Sequence, residues 1–174
     1  MNVRRRQKSL EARRAEHAEA DSSVVLEACL QFLEARARSA SEVRRRLLLR
    51  GYRADLVEGA IERLTELGMI DDAAFAKAWI ESRDRARPRG ERALRQELAR
   101  KGIDRAIADQ ALTERETDRP DADADAAQRL LDRHASALAR APDPWARRQR
   151  AYALLARNGF DPEIAASLTS SRRT

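Results

Sequence analysis

The stretch "LLLRGYRADLVEGAI", residues 47–61, interrupts a helical run with a glycine, follows it at once with an aromatic residue and then resumes helical spacing. The same punctuation recurs in "LARKGIDRAIADQAL" around Gly102 and in "LLARNGFDPEIAASL" around Gly159. Aligned on the three glycines, the columns agree. Leu47, Leu98 and Leu155 stand four residues before, Tyr52, Ile103 and Phe160 directly after, and Leu56, Ile107 and Ile164 five after. Glycine just past a helix, followed by an apolar residue that folds back over the last turn, is a helix C-terminus that needs φ > 0. The glycines fall 51 and 57 residues apart, room for about three short helices per unit at the usual length of roughly 11 to 12 residues. An internal repeat of this period reads as a helical array.

Each unit carries its own start and stop signals. In the first, Leu26, Leu30 and Leu33 share one face of a helix, and "SASE" offers a capping box from Ser39 to Glu42 for the next. A third helix, from about Ala54, ends before Gly68, and Asp71 or Asp72 caps the following unit. There Phe75, Trp79 and Ile80 mark a buried face, and Pro88 and Gly90 break the helix at "RARPRG". In the last unit, "DP" pairs at Asp143–Pro144 and Asp161–Pro162 open the second and third helices. No segment alternates apolar and polar residues as a strand would. The expected fold is all-α, with three tandem three-helix repeats at 23–70, 71–116 and 126–174. A charged arm precedes them at 1–22, and an acidic hinge, "TERETDRPDADADA" around Pro120, occupies 117–125.

Composition excludes several classes of function. The chain has 174 residues, of which 37% are charged and 4% aromatic. It lacks an apolar run near the roughly 20 residues of a membrane span, so a cytoplasmic protein with no membrane association is expected. Cys29 is the only cysteine and reads as a small apolar core residue; His17 and His134 lie in separate charged segments without ligand spacing. No metal or cofactor is expected. Asp71 and Asp72 are better explained by helix capping than as a catalytic carboxylate pair. With no phosphate loop and no nucleophile motif, the chain reads as a non-enzyme.

The formal charge is +6, as for chains that meet polyanions, but position is more informative than the total. The second helices carry +3 over 40–50, +2 over 91–101 and +4 over 145–158; the third helices carry −2 over 53–67, 104–116 and 161–168. Two readings of this segregation stand. Basic helices can pair with their acidic neighbours, which contributes little per exposed pair. They can also face an external partner, through Arg44, Arg45 and Arg46, through Arg92, Arg95, Arg100 and Lys101, and through Arg147, Arg148 and Arg150. Arg83, Arg85, Arg87 and Arg89, around the helix break, would extend that surface. Helix, turn, helix is also the arrangement of major-groove readers. An acidic third helix is repelled by phosphates, however, and lacks the side chains that read bases. Trp79 and Trp145, at apolar helical positions, read as core residues before stacking platforms.

The blocks "ARSASEVRRRLLLRGY", "LTELGMIDDAAFAKAWIESR" and "RGERALRQELARKGI" resemble the signature blocks of the RecX family, bacterial regulators of the RecA recombinase. The resemblance spans about residues 25–168. It is clearest in the second unit, at Gly68, Asp71, Asp72, Phe75, Trp79, Arg83, Gly90, Leu98, Gly102 and Ile103. It implies an elongated, bent array of three-helix repeats. The protein would bind along the groove of the RecA filament on DNA, inhibiting strand exchange, ATP turnover and co-protease activity. The partner would be the RecA filament, with direct DNA contact through the basic second helices, and a monomer is expected. The other class of function compatible with these residues is a free-standing, sequence-nonspecific nucleic-acid-binding protein.

Overall fold

The computed structural model describes residues 11–12 and 15–170. Residues 1–10, 13 and 14 of the expected arm lie outside the described residues. Among the described residues all regular structure is helical. The helices are α1 (Ser22–Glu34), α2 (Ala40–Arg50), α3 (Ala54–Glu66), α4 (Asp72–Ala86), α5 (Glu91–Arg100), α6 (Arg105–Asp118), α7 (Ala122–Arg133), α8 (Ala135–Ala139), α9 (Pro144–Arg157) and α10 (Pro162–Ser170). The one-turn α8 accounts for the longer second spacing between glycines. The chain divides into two compact units, residues 1–75 and 76–174.

The repeated turn has the same backbone solution each time. Gly51, Gly102 and Gly159 take φ of 99°, 75° and 83°. The next residue donates its N–H to the leucine four before the glycine: Tyr52 to Leu47 (3.3 Å), Ile103 to Leu98 (3.1 Å) and Phe160 to Leu155 (3.3 Å). Those bonds satisfy carbonyls that a helix end leaves orphaned. Leu47, Leu98 and Leu155 are completely buried, so each turn is closed by its own core. Replacing Gly51 by alanine is expected to cost about 1 kcal/mol, since a Cβ is disfavoured at positive φ. Denaturant unfolding checks this, and a gain in stability would contradict it.

The caps follow the sequence signals. The Ser39 hydroxyl accepts from the Glu42 N–H at 3.1 Å, and Asp143 caps α9 through Ala146 N–H at 2.7 Å. Both aspartates of "IDD" are caps, but of different helices. Asp71 accepts from Ala74 N–H (2.8 Å), whereas Asp72 reaches back to Ala40 N–H (2.9 Å) at the start of α2. In the first unit Val25, Cys29, Val43, Leu47, Val57 and Leu64 form the centre of the core. Burial pushes the Cys29 thiol up to about 11, so it packs as an apolar group and stays protonated. The described end of the N-terminal segment joins this unit: His17 stacks on Tyr52 with ring centroids 4.2 Å apart, and its Nδ1 donates to the Arg50 carbonyl at 2.8 Å.

The acidic stretch expected as a hinge is mostly helical, because α6 continues to Asp118 and α7 begins at Ala122. Arg115 is the physical reason. It is 6% exposed and lies among Asp84 (4%) and Asp123 (8%). Its guanidinium donates to Asp84 at 2.9 and 3.0 Å, to Asp123 at 3.0 Å and to the Ala122 carbonyl at 3.2 Å. Arg119 adds a bond to Asp84 at 2.6 Å. One buried cation thus ties α4, α6 and the first turn of α7 together. The second and third repeats also meet backbone to backbone, where Gly90 N–H donates to the Asn158 carbonyl at 3.0 Å.

Candidate partner-binding surface

The second helices α2, α5 and α9 each bury one apolar stripe, Val43 with Leu47, Leu94 with Leu98 and Ala151 with Leu155. Their arginines are therefore on the remaining faces, and the folded chain sorts them into two groups. The first is spent internally. Arg44 forms a two-pronged pair with Glu58, both bonds 2.6 Å. At the equivalent place in the next repeat, Arg95 bonds Asp109 at 2.7 Å and Glu91 at 2.6 Å. Each arginine holds its acid below the usual carboxylate range by direct hydrogen bonding, at Glu58 and at Asp109. For these residues, the basic-to-acidic helix pairing is the one realised. The third repeat has no such pair, because Tyr152 and Ala166 occupy the corresponding positions.

The arginine-rich break between α4 and α5 is also partly neutralised. Glu97 of α5 accepts from Arg83 at 2.6 Å and from the Trp79 indole N–H at 2.9 Å, and pairs with Arg89 at 3.5 Å. Arg83 and Lys101 both lie over the Trp79 ring, at 4.4 and 4.7 Å from its centroid. Arg89 further bonds Asn158. Arg83 and Arg89, expected to extend the partner-facing surface, are thus paired within the chain. A glutamate fourteen residues from Arg83 approaches it only once α4 and α5 fold against each other. Arg85 remains exposed, 3.8 Å from Glu81, and Arg87 is exposed.

The second group faces solvent. Arg45, Arg46, Arg87, Arg92, Arg100, Arg147, Arg148 and Arg150 are exposed. Arg46 lies 5.7 Å from the Phe32 ring, and Arg92 donates to the Ala156 carbonyl at 3.2 Å. Arg45, Arg87, Arg100, Arg147, Arg148 and Arg150 form no ion pair among the described residues. Beside Arg45 and Arg46, α2 also exposes Leu48 (41%) and Leu49 (64%). Trp145 is the aromatic whose expected burial does not occur: it is 69% exposed. The register of α9 explains this. Ala151 and Leu155 set its buried stripe, and Trp145 falls about 100° round the helix from it at roughly 100° per residue. Sequence periodicity over a single turn, with no apolar residue one turn away on the same face, could have signalled it.

Among the described residues no cluster of His, Cys, Asp and Glu could hold a metal ion, and no helix is long and apolar enough to cross a membrane.

A tandem array of three-helix modules, each closed by a glycine turn and presenting a basic second helix, defines a class of helical-repeat proteins. Residues 26–64 match the RecX first three-helix domain and residues 71–112 the RecX second three-helix domain. The chain is 32% identical over 148 residues to the regulatory protein RecX of Chlorobium phaeobacteroides, covering 83% of this chain and 90% of that one. With the regulatory protein RecX of Mycolicibacterium vanbaalenii identity is 43% over 84 residues, and the match spans about half the length of each, 48% of this chain and 46% of that one. The crystal structure of RecX from Lactobacillus salivarius is similar in fold, with a TM-score of 0.71 at 22% identity, over 86% of this chain and 95% of that one. The chain belongs to the RecX family, whose members are regulatory proteins.

Proposed function

We propose that this protein is a non-enzymatic negative regulator of RecA, acting in the cytoplasm in homologous recombination and the SOS response. It binds the RecA–DNA filament and inhibits its recombinase, ATPase and co-protease activities. Membership of a family of regulatory proteins supports the role. The observation that carries the mode of action is that cations remain exposed, and form no ion pair among the described residues, on all three second helices: Arg45 on α2, Arg100 on α5, and Arg147, Arg148 and Arg150 on α9. Arg44, Arg83, Arg89 and Arg95 are paired with acids of the chain, which leaves them less charge to offer a partner. A polyanionic partner, filament acids or DNA phosphates, suits the rest.

The test is titration against RecA alone, DNA alone and the RecA–DNA filament, with DNA-dependent ATP turnover followed in parallel. Filament binding far tighter than binding to bare DNA, with falling turnover, is the expected result; unchanged turnover at saturation rejects the proposal. Changing Arg45, Arg100, Arg147 and Arg150 together to glutamine is expected to weaken filament binding about tenfold or more at low salt and leave the fold intact, as these exposed side chains form no ion pair among the described residues. A log–log salt slope reduced by roughly one per lost phosphate contact would assign the cations to DNA. Loss of affinity with little slope change would assign them to acidic groups of RecA. The second reading, a nonspecific nucleic-acid-binding protein, is favoured by one feature: α9 exposes Trp145 and Tyr152 among arginines that form no ion pair among the described residues.

A further inference from the structure

We infer that the outward face of α9 is a contact site for single-stranded nucleic acid, on which Trp145 and Tyr152 stack bases while Arg148 and Arg92 hold the backbone. The inference rests on the nucleic-acid reading above and names the form of nucleic acid and the residues. Trp145, Arg148 and Tyr152 follow the i, i+3, i+7 spacing that puts side chains on one helix face. All three are exposed, Trp145 at 69% and Tyr152 at 37%. The two rings stand about 10 Å apart along the axis, at 1.5 Å rise per residue, with Arg148 between them. Arg92 comes from α5 and donates to the Ala156 carbonyl at 3.2 Å, which sets another exposed guanidinium one turn beyond Tyr152. The stripe thus alternates ring, cation, ring, cation.

Two further observations select the occupant. Helix α9 contains no acidic residue, so its arginines have no partner within it, and none forms an ion pair among the described residues. In the first two repeats the position of Tyr152 is held by Arg44 and Arg95, both tied to an acid of the neighbouring helix. Only the third repeat gives up that pair and shows an aromatic surface there. A protein partner would need acids for the cations and apolar or aromatic side chains for the rings, set at the same alternating spacing. A single strand supplies phosphates for the arginines and unpaired base faces for the rings, a combination in which each stacked base is worth a large factor in affinity. A duplex supplies phosphates but keeps its bases stacked inside.

The test uses the full chain with fluorescein-labelled oligo(dT) and a duplex of equal length, by anisotropy at several salt concentrations and with no RecA present. Trp145→Ala is expected to weaken single-strand binding about tenfold without changing the salt slope, and to leave duplex binding unaltered. Trp145→Phe is expected to retain most of the affinity. Arg148→Gln should flatten the slope by about one for both nucleic acids. Quenching of tryptophan emission by oligo(dT) should disappear in Trp145→Phe. Equal losses on single strand and duplex from Trp145→Ala, or no loss from it in a folded variant, would overturn the inference. So would a loss confined to the RecA filament, which would make this face a protein contact. Because oligo(dT) binding is read without RecA, failure here is separable from failure of the ATP-turnover test.

Discussion

Replacing Arg115 by alanine is expected to destabilise residues 76–174 by about 3 to 5 kcal/mol, the usual cost of removing one partner from a buried ionic cluster. The variant would leave Asp84 and Asp123 buried without their central cation. Arg119, half exposed, can satisfy only one side of Asp84. Burial already pushes the Asp123 carboxyl above the usual range despite the neighbouring guanidinium. An acid whose folded pKa is raised binds its proton more readily folded than unfolded, so its protonation favours the folded state as the pH falls. The penalty of Arg115→Ala is therefore expected to be largest near neutral pH and to shrink toward acid pH. Asp123→Asn, which removes a charge that burial disfavours, should cost far less than Arg115→Ala. Trp79 and Trp145 both lie in 76–174, so tryptophan emission during denaturant unfolding reports this unit. Equal costs for the two variants would show that the cluster is not held by its arginine.

Gly90→Ala is expected to be about as severe, at about 3 kcal/mol or more, because the added methyl would enter the backbone of Gly159 and Phe160. Overpacking against movable side chains typically costs about 1 to 3 kcal/mol. Here the obstacles are main-chain atoms already joined by the Gly90-to-Asn158 hydrogen bond, so the second and third repeats would have to separate. Gly159→Ala adds a second penalty to the left-handed one: its Cβ would lie 2.5 Å from the Ala93 backbone nitrogen and Cβ. Its cost should exceed that of Gly51→Ala. Thermal unfolding of the three variants, followed by tryptophan emission and helical circular dichroism, checks the ranking; Gly90→Ala with an unchanged transition would show that the repeats are not clasped there.

What the sequence by itself determined is local. Helical periodicity, the caps at Ser39, Asp71 and Asp143, and the glycine turns are properties of a few neighbouring residues, and each was legible because backbone conformation answers to near neighbours. The basic and acidic character of successive helices was equally legible, as it is a matter of composition. Tertiary structure alone decided which cations are available. Arg83 and Arg89 share Glu97, Arg95 takes Asp109 and Arg115 sinks between Asp84 and Asp123, whereas Arg100 and Arg148 next to similar sequence stay in water. It also turned Gly90 from an expected helix breaker into a point of closest approach between repeats, and brought Trp145 to the surface. Burial and pairing depend on what lies across a helix interface, at separations of 8 to 69 residues along the chain. Charge and hydrophobicity report that a side chain needs a partner, and only packing says whether the partner is inside the protein.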